Sequence, residues 1–519
     1  MFPAEQLLHT VQSRGPRVAL WSAGTAWSYD DLDRRSQSLA EQLQDLGVGP
    51  GERVGIDLAN QASAVAAIWA CLRLGAAFAC LDPTTPSRAW AALIDDFFPR
   101  IVLTRAERLR ACDVATGSRY LVDRAGLDGV GQEISSFDLE RPPDGRSFVR
   151  GSDPSAQAAN LVYTSGSTGR PKAVVMSHAA VGWAVQAIGG YLDLSAEDAV
   201  LNILPLSFDY GLYQVLLCGS VGACLVLEPG LGYPGPLLET LRDRAVTTVP
   251  GVPSLFHMLL QRPSFDARTL PSLRRFTNTG AHLPLDTVRA IRARFPAADL
   301  YLMYGLTECK RVSYLPPREV DAHPDSVGIP MPGCDVAVVD DDGQPLGPNR
   351  VGQLVLRSRS MMLGYWRREA ETEAALRPGP WPGERCLWTG DLFLRDGNGL
   401  LYFVGRMDDI FKSRGEKVAP VEVERALRAH EGVAEASVVP AADPVLGARI
   451  CAFVVYAEGH APDERSLKHH CAERLEPFKL PHRIAALPRL PLNSRGKVDR
   501  AALMALAASE QATAPHERS

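Results

Sequence analysis

The sequence is notable first for what is missing. No run of about 18 apolar residues occurs, the length a membrane-spanning helix needs, so no membrane span is expected. The start, MFPAEQLLHTVQSRGPRVALW, lacks a basic region followed by an apolar one and is a poor secretory signal. The ten cysteines form no C-x-x-C pair. Most sit in apolar surroundings such as WACLRLGAAFACLD and read as reduced core thiols of a cytoplasmic protein. KHHC, Lys468 to Cys471, has no partner cluster at zinc spacing and reads as part of an exposed helix. Net charge is −5 with the two signs mixed, and no basic block marks a nucleic-acid face. Any positive charge that holds phosphate must therefore be local. Neither a Walker A loop nor a kinase glycine-rich loop with its aspartate motifs is present, which excludes two large classes of phosphoryl-transfer enzyme.

What is present is ordinary for a globular protein: 519 residues, 46% apolar and 22% charged. At about 100–200 residues per domain, three or four folding units are expected. From 15 to 140 the pattern alternates between helix and strand. YDDLDRRSQSLAEQLQDLG has apolar residues at helical spacing and ends in glycine, RVGIDL reads as a strand, and SAVAAIWACLRLGAAFACLDP reads as helix, glycine and buried strand. This βαβα rhythm implies an α/β architecture. Residues 141–158 are rich in Pro, Gly and Ser and read as a loop or linker. The rhythm resumes at 159 and runs to about 330. Short strands follow (DVAVVD, GQLVLRS, LWTGDLFLRD, LLYFVGR), which suit a small antiparallel or barrel-like subdomain. Past Asp408 and Asp409, PVEVERALRAH, VAEASVV and ARICAFVVY supply enough helix and strand for a separate small α+β domain. The expected domains are thus residues 1–407 and 408–505, with 506–519 as a disordered tail.

The densest chemical signal is LVYTSGSTGRPKAVVMSH, Leu161 to His178. A buried strand leads into a turn and a second strand leaves it. Gly166 and Gly169 let backbone amides approach a ligand without Cβ obstruction. Such an amide concavity binds anions. Thr164, Ser165, Ser167 and Thr168 add hydroxyl donors, and Lys172 adds a mobile charge. A flexible Ser/Gly hairpin turn would have the same composition, and composition alone does not choose between the two.

The full string YTSGSTGRPK resembles the phosphate-binding loop of the adenylate-forming superfamily, which includes acyl-CoA synthetases, adenylation domains of nonribosomal peptide synthetases, and luciferases. WSYDDLDRRS, LRLGAAFACLDP, YGLTE, GQLVLRSRSMMLGYW, WTGDLFLRDGNGLLYFVGRMDD and NSRGKVDR resemble further segments of that family, in its order, over residues 15–505. The resemblance implies a large N-terminal domain of two α/β subdomains plus a small β-barrel-like subdomain, followed by a mobile C-terminal lid. It implies attack of a carboxylate on the α-phosphate of ATP, loss of pyrophosphate, and transfer of the acyl group from AMP to a thiol. The thiol would be coenzyme A or the phosphopantetheine of a carrier protein. Nothing after Lys497 is long enough for a carrier domain, so a carrier would be a separate partner. By the same resemblance, Glu308 would hold Mg²⁺, Thr307 would bond the α-phosphate and Tyr304 would pack on adenine. Asp391 would accept the ribose hydroxyls with Arg406 nearby, and Lys497 would bridge carboxylate and α-phosphate. Asp408 would be the hinge, with Gly415 beside the passing pantetheine arm. A non-catalytic nucleotide-binding relative would usually have lost one of Lys172, Glu308, Asp391 and Lys497, and all four are present.

The acid is less legible. LPLSFDYGLYQVLL resembles the segment lining the acyl pocket. Asp209 stands where amino-acid-activating members pair a carboxylate with the substrate ammonium. FDYG nevertheless departs from their Phe-Asp-x-Ser and resembles strings in stand-alone acyl-CoA ligases, so carboxylic and amino acids both stay open. Tyr210, Tyr213, Thr277, Thr279, Met303, Arg311 and Val312 are the other pocket candidates. Lys310 or Arg311 could meet an acidic group on substrate or carrier, although adjacent cations are more commonly solvated.

Overall fold

The computed structural model of the chain describes residues 3–111, 119–123, 136–148, 151, 153–164, 171–230, 232–443, 446–457, 459–492 and 498–511. The chain forms two compact units: residues 1–336 with 356–387, and residues 337–355 with 388–519.

The first unit carries two large sheets, both α/β. One has nine strands, in the order Ile329–Pro330, Ser313–Leu315, Asp299–Tyr304, Arg275–Asn278, Thr248–Gly251, Ala199–Asn202, Cys224–Leu227, Val18–Ser22, Thr25–Ser28. Its six central strands, from Asp299–Tyr304 to Val18–Ser22, are parallel, and each outer strand pairs antiparallel with its inner neighbour. The other sheet has eight strands, in the order Gly364–Tyr365, Lys172–Ser177, Ala158–Thr164, Ala77–Cys80, Arg53–Ile56, Ile101–Thr104, Arg119–Asp123, Ser136–Phe137. The parallel strands are buried runs such as AFAC and IVLT, as expected where helices cover both faces.

Local chemistry sets the helix starts. Tyr29–Asp45 begins with a capping box: the Asp31 N–H donates to Ser28 Oγ and the Ser28 N–H donates to the Asp31 carboxylate, both at 3.1 Å. Leu32, Leu39 and Leu43 then recur on its buried face. Asp209–Val221 is apolar nearly all round, is buried from Tyr210 to Gly219, and ends at Gly222 with φ +81°. Cys71 and Cys80 are buried, as read from their apolar neighbours.

In the second unit, Asp391 to Arg395 of the strand Arg385–Arg395 pair antiparallel with Leu401–Arg406. Phe411–Ser413 and Glu416–Val418 form a hairpin whose two turn residues, Arg414 and Gly415, both have positive φ, as a tight right-twisted hairpin requires. A three-stranded sheet of Val433–Asp443, Gly447–Tyr456 and Arg483–Ala486 follows. The helices Pro420–Arg428 and Glu464–Ala472 bury Val423, Leu427, Leu467 and Cys471 against one face. KHHC therefore lies on a helix that is only partly exposed. The helix Arg500–Gln511 runs into the stretch expected as a tail, because Leu503 and Ala507 pack into the core formed with Val439 and Phe453. Residues 512–519 lie outside the described residues.

Candidate active site

The phosphate-loop motif is built as a hairpin. Ala158–Thr164 and Lys172–Ser177 pair antiparallel, with Thr164 opposite Lys172, and Thr164 Oγ1 donates to the Lys172 carbonyl at 3.3 Å. Ser165, Gly166, Ser167, Thr168 and Gly169 lie outside the described residues, as does Lys497. The short strand Gly364–Tyr365 pairs with Val175 and Val174 on the outer edge of the hairpin. One carboxylate ties these pieces together: Asp96 accepts from the Tyr163 hydroxyl at 2.8 Å and from Arg368 at 3.1 Å, while its carbonyl accepts from Trp366 Nε1 at 3.0 Å. Burial, then the Asp96 charge, pushes the Tyr163 phenol well up, so it remains a donor at all ordinary pH.

YGLTE lies at the carboxyl end of the parallel strand Asp299–Tyr304, the edge where ligands bind in open α/β sheets. The chain turns there and returns antiparallel, with Tyr304 opposite Ser313. The turn is tight. The Lys310 N–H donates to the Leu306 carbonyl at 2.6 Å and the Val312 N–H to the Tyr304 carbonyl at 3.0 Å. A Cβ on Gly305 would collide with the Lys310 carbonyl, so only glycine fits this position.

Tyr365 brings the loop lysine and the motif glutamate together. Its hydroxyl donates to Glu308 Oε1 at 2.8 Å, and Lys172 Nζ stands 5.4 Å from its ring centroid. The Met362 N–H also donates to the Glu308 carbonyl at 2.7 Å. Tyr365 lay within a family-like segment, but no local pattern marked it as the bridge. Two residues of strand pairing across the sheet edge put it there.

The pocket candidates gather at the same carboxyl edge. Tyr210 Oη donates to the Thr277 carbonyl at 2.9 Å and lies 2.6 Å from its hydroxyl. Met303 Sδ accepts from Tyr191 Oη at 3.0 Å, and Tyr191 stacks on Tyr314 with centroids 4.1 Å apart. Thr279 and Val312 are buried. Gly211 replaces the serine of Phe-Asp-x-Ser for a steric reason: a Cβ there would stand 2.5 Å from the Pro205 carbonyl oxygen. Lys310 and Arg311 are not solvated, contrary to the common fate of such a pair. They are 6% and 5% exposed. The guanidinium of Arg311 lies 5.5 Å from the Tyr210 ring centroid and Lys310 Nζ 5.5 Å from that of Tyr213.

In the second unit, Asp391 and Arg406 are cross-strand partners. Arg406 Nε contacts Asp391 Oδ1 at 3.1 Å, and the Asp391 N–H donates to Thr389 Oγ1 at 3.0 Å. The pairing holds a buried carboxylate in one rotamer. Asp391→Asn removes its charge and one acceptor oxygen. It is expected to raise the KM for ATP about tenfold, the worth of one charge-assisted hydrogen bond, with a smaller effect on kcat. Initial rates at varied ATP check this. Asp408 is exposed in the turn after Arg406.

The family model of the AMP-binding enzymes matches residues 7–366, and that of the AMP-binding enzyme C-terminal domain matches residues 422–497. Novobiocin biosynthesis protein H of Streptomyces niveus is 31% identical over 504 residues, 96% of this chain and 82% of that one. An L-proline–[L-prolyl-carrier protein] ligase of Streptomyces coelicolor is 31% identical over 493 residues, 91% of this chain and 90% of that one. The o-succinylbenzoate CoA synthetase of Bacillus subtilis, solved with an acyl-adenylate intermediate, superposes with a TM-score of 0.79 at 26% identity over 96% of this chain and 97% of that one. The chain belongs to the AMP-binding enzyme family and is an adenylate-forming ligase.

Proposed function

We propose that the chain joins a small carboxylic acid to a thiol in two half-reactions. A carboxylate oxygen attacks the α-phosphorus of ATP and pyrophosphate leaves. The thiol sulfur then attacks the acyl carbon and AMP leaves. The observation that carries this reading is the convergence of Lys172 and Glu308 on Tyr365, which puts a cation and a carboxylate at the mouth of the loop hairpin. Lys172 offsets charge on the departing pyrophosphate and Thr307 bonds the α-phosphate. Tyr304 packs on adenine, and Asp391 with Arg406 holds the ribose. Lys497 bridges the acid and the α-phosphate.

Glu308 suits Mg²⁺. Oε1 accepts from Tyr365 and, among the described residues, no donor sits on Oε2, which leaves one hard oxygen for a cation that otherwise takes waters and phosphate oxygens. When bound, Mg²⁺ would neutralise phosphate charge. The thiol is coenzyme A or the phosphopantetheine of a separate carrier protein, since ligases and synthetases of both kinds are among the relatives. We place the reaction in the cytoplasm, in keeping with cysteines that are free among the described residues.

The test is pyrophosphate release from ATP and Mg²⁺ across a panel of carboxylic and amino acids, followed by addition of coenzyme A or a carrier protein bearing free phosphopantetheine. Acid-dependent release supports the ligase; no release with any acid indicates a relative that only binds nucleotide.

Asp408 is proposed as the hinge about which the C-terminal domain turns between the half-reactions. Among the described residues its N–H donates no hydrogen bond, so proline at 408 removes none and acts by restricting φ. Asp408→Pro is expected to slow thioester formation at least about tenfold while sparing adenylate formation. Unchanged thioester turnover would contradict the hinge.

A further inference from the structure

We propose that Lys310 and Arg311 form an anion subsite in the acyl pocket, and that the acid this ligase activates carries a second carboxylate bound there. The inference rests on the ligase reading and names its substrate class.

Lys310 is the main observation. It is 6% exposed, and its Nζ makes no hydrogen bond among the described residues. A buried ammonium without a partner costs several kcal/mol, so such groups are ordinarily paired. Its backbone is also held at φ +67°, a region a long side chain rarely adopts, which adds strain to the desolvation. A lysine kept under both penalties has something to hold.

Its surroundings say what. Lys310 lies over Tyr213 and Arg311 over Tyr210. These tyrosines are three residues apart on the helix Asp209–Val221, so the two cations line one helix face. Tyr213 Oη and Arg311 Nε are likewise buried and without hydrogen-bond partners among the described residues, which offers two more donors. The counter-charge is Asp209, which acts on both Lys310 and Tyr213. It makes no ion pair with either cation within 4 Å among the described residues. Glu308 is engaged by Tyr365 and committed to the phosphate side. With Glu308 set beside Lys172 at Tyr365, Lys310 has the charge of Asp209 beyond 4 Å and, among the described residues, no anion in contact. The reacting carboxylate is assigned to Lys497, so a second anion is needed. The same geometry disfavours an amino acid: an ammonium drawn to Asp209 would enter the field of Lys310.

Matched acids test this: diacids such as succinate, glutarate and phthalate, each beside its monoacid and its amino-acid analogue of the same skeleton. ATP–pyrophosphate exchange and calorimetric binding without ATP are measured for the unmodified chain, Lys310→Met and Lys310→Gln. At least one diacid is expected to exceed its monoacid and amino analogues about 100-fold in kcat/KM. Both variants should lose that preference and keep the KM for ATP. Gln serves if Met fails to fold. Exchange with monoacids or amino acids at least equal to diacids overturns the subsite and leaves the ligase standing. Diacid binding that Lys310 variants lose, without exchange for any acid, overturns the ligase reading and retains the subsite. Neither binding nor exchange overturns both.

Discussion

Lys497→Ala is expected to lower acid-dependent pyrophosphate exchange about a thousandfold while thioester formation from supplied acyl-adenylate changes little. The asymmetry follows from the charges. In the first half-reaction two anions, the carboxylate and the α-phosphate, must come within bonding distance. A lysine between them offsets their repulsion and aligns the attack, and positioning and charge stabilisation of this kind are worth factors of this size. In the second half-reaction the nucleophile is a thiol and the acyl group is already activated, so that approach no longer limits the rate. Exchange and thioester assays on the same preparation check this. Equal loss of both half-reactions in a folded variant would remove Lys497 from its role.

The second large effect is expected at Glu308. Glu308→Gln keeps the shape of the side chain and an oxygen able to accept from Tyr365, so the turn after Tyr304 survives. It deletes the negative charge. Adenylate formation should fall on the order of 100-fold, and the Mg²⁺ concentration for half-maximal rate should rise at least about tenfold. Tyr365→Phe removes only the hydrogen bond that orients the carboxylate and should cost less, about two- to tenfold. A magnesium titration of exchange rate separates these. Unchanged magnesium dependence in Glu308→Gln would place the cation elsewhere.

Much of the fold was legible because its signals are local. The apolar spacing of Tyr29–Asp45, the buried strand Ala77–Cys80 and the two arms of the loop hairpin all declare themselves within a few residues. The parts that were not legible depend on distant partners. Gly364–Tyr365 is a two-residue strand, and nothing in its composition tells that it pairs with Val174 and Val175. The convergence of Lys172 and Glu308 hangs on that pairing. Arg406 could be assigned near the ribose by resemblance, but not as the ion-pair partner of Asp391, which depends on strand register. Lys310 and Arg311 were the reverse case. Charged pairs are usually solvated, and here the tight turn after Gly305 overrides that tendency and carries both inward. The family pattern located Asp209; only packing showed that its charge acts on a buried lysine.

The most direct measurement follows the atoms. The acid identified by the pyrophosphate screen is prepared with ¹⁸O in its carboxylate and carried through to thioester. If that carboxylate attacks the α-phosphorus, one ¹⁸O remains on the phosphate when AMP departs, and mass spectrometry finds singly labelled AMP beside unlabelled pyrophosphate. Unlabelled AMP, or ADP and labelled inorganic phosphate in its place, would contradict adenylate formation.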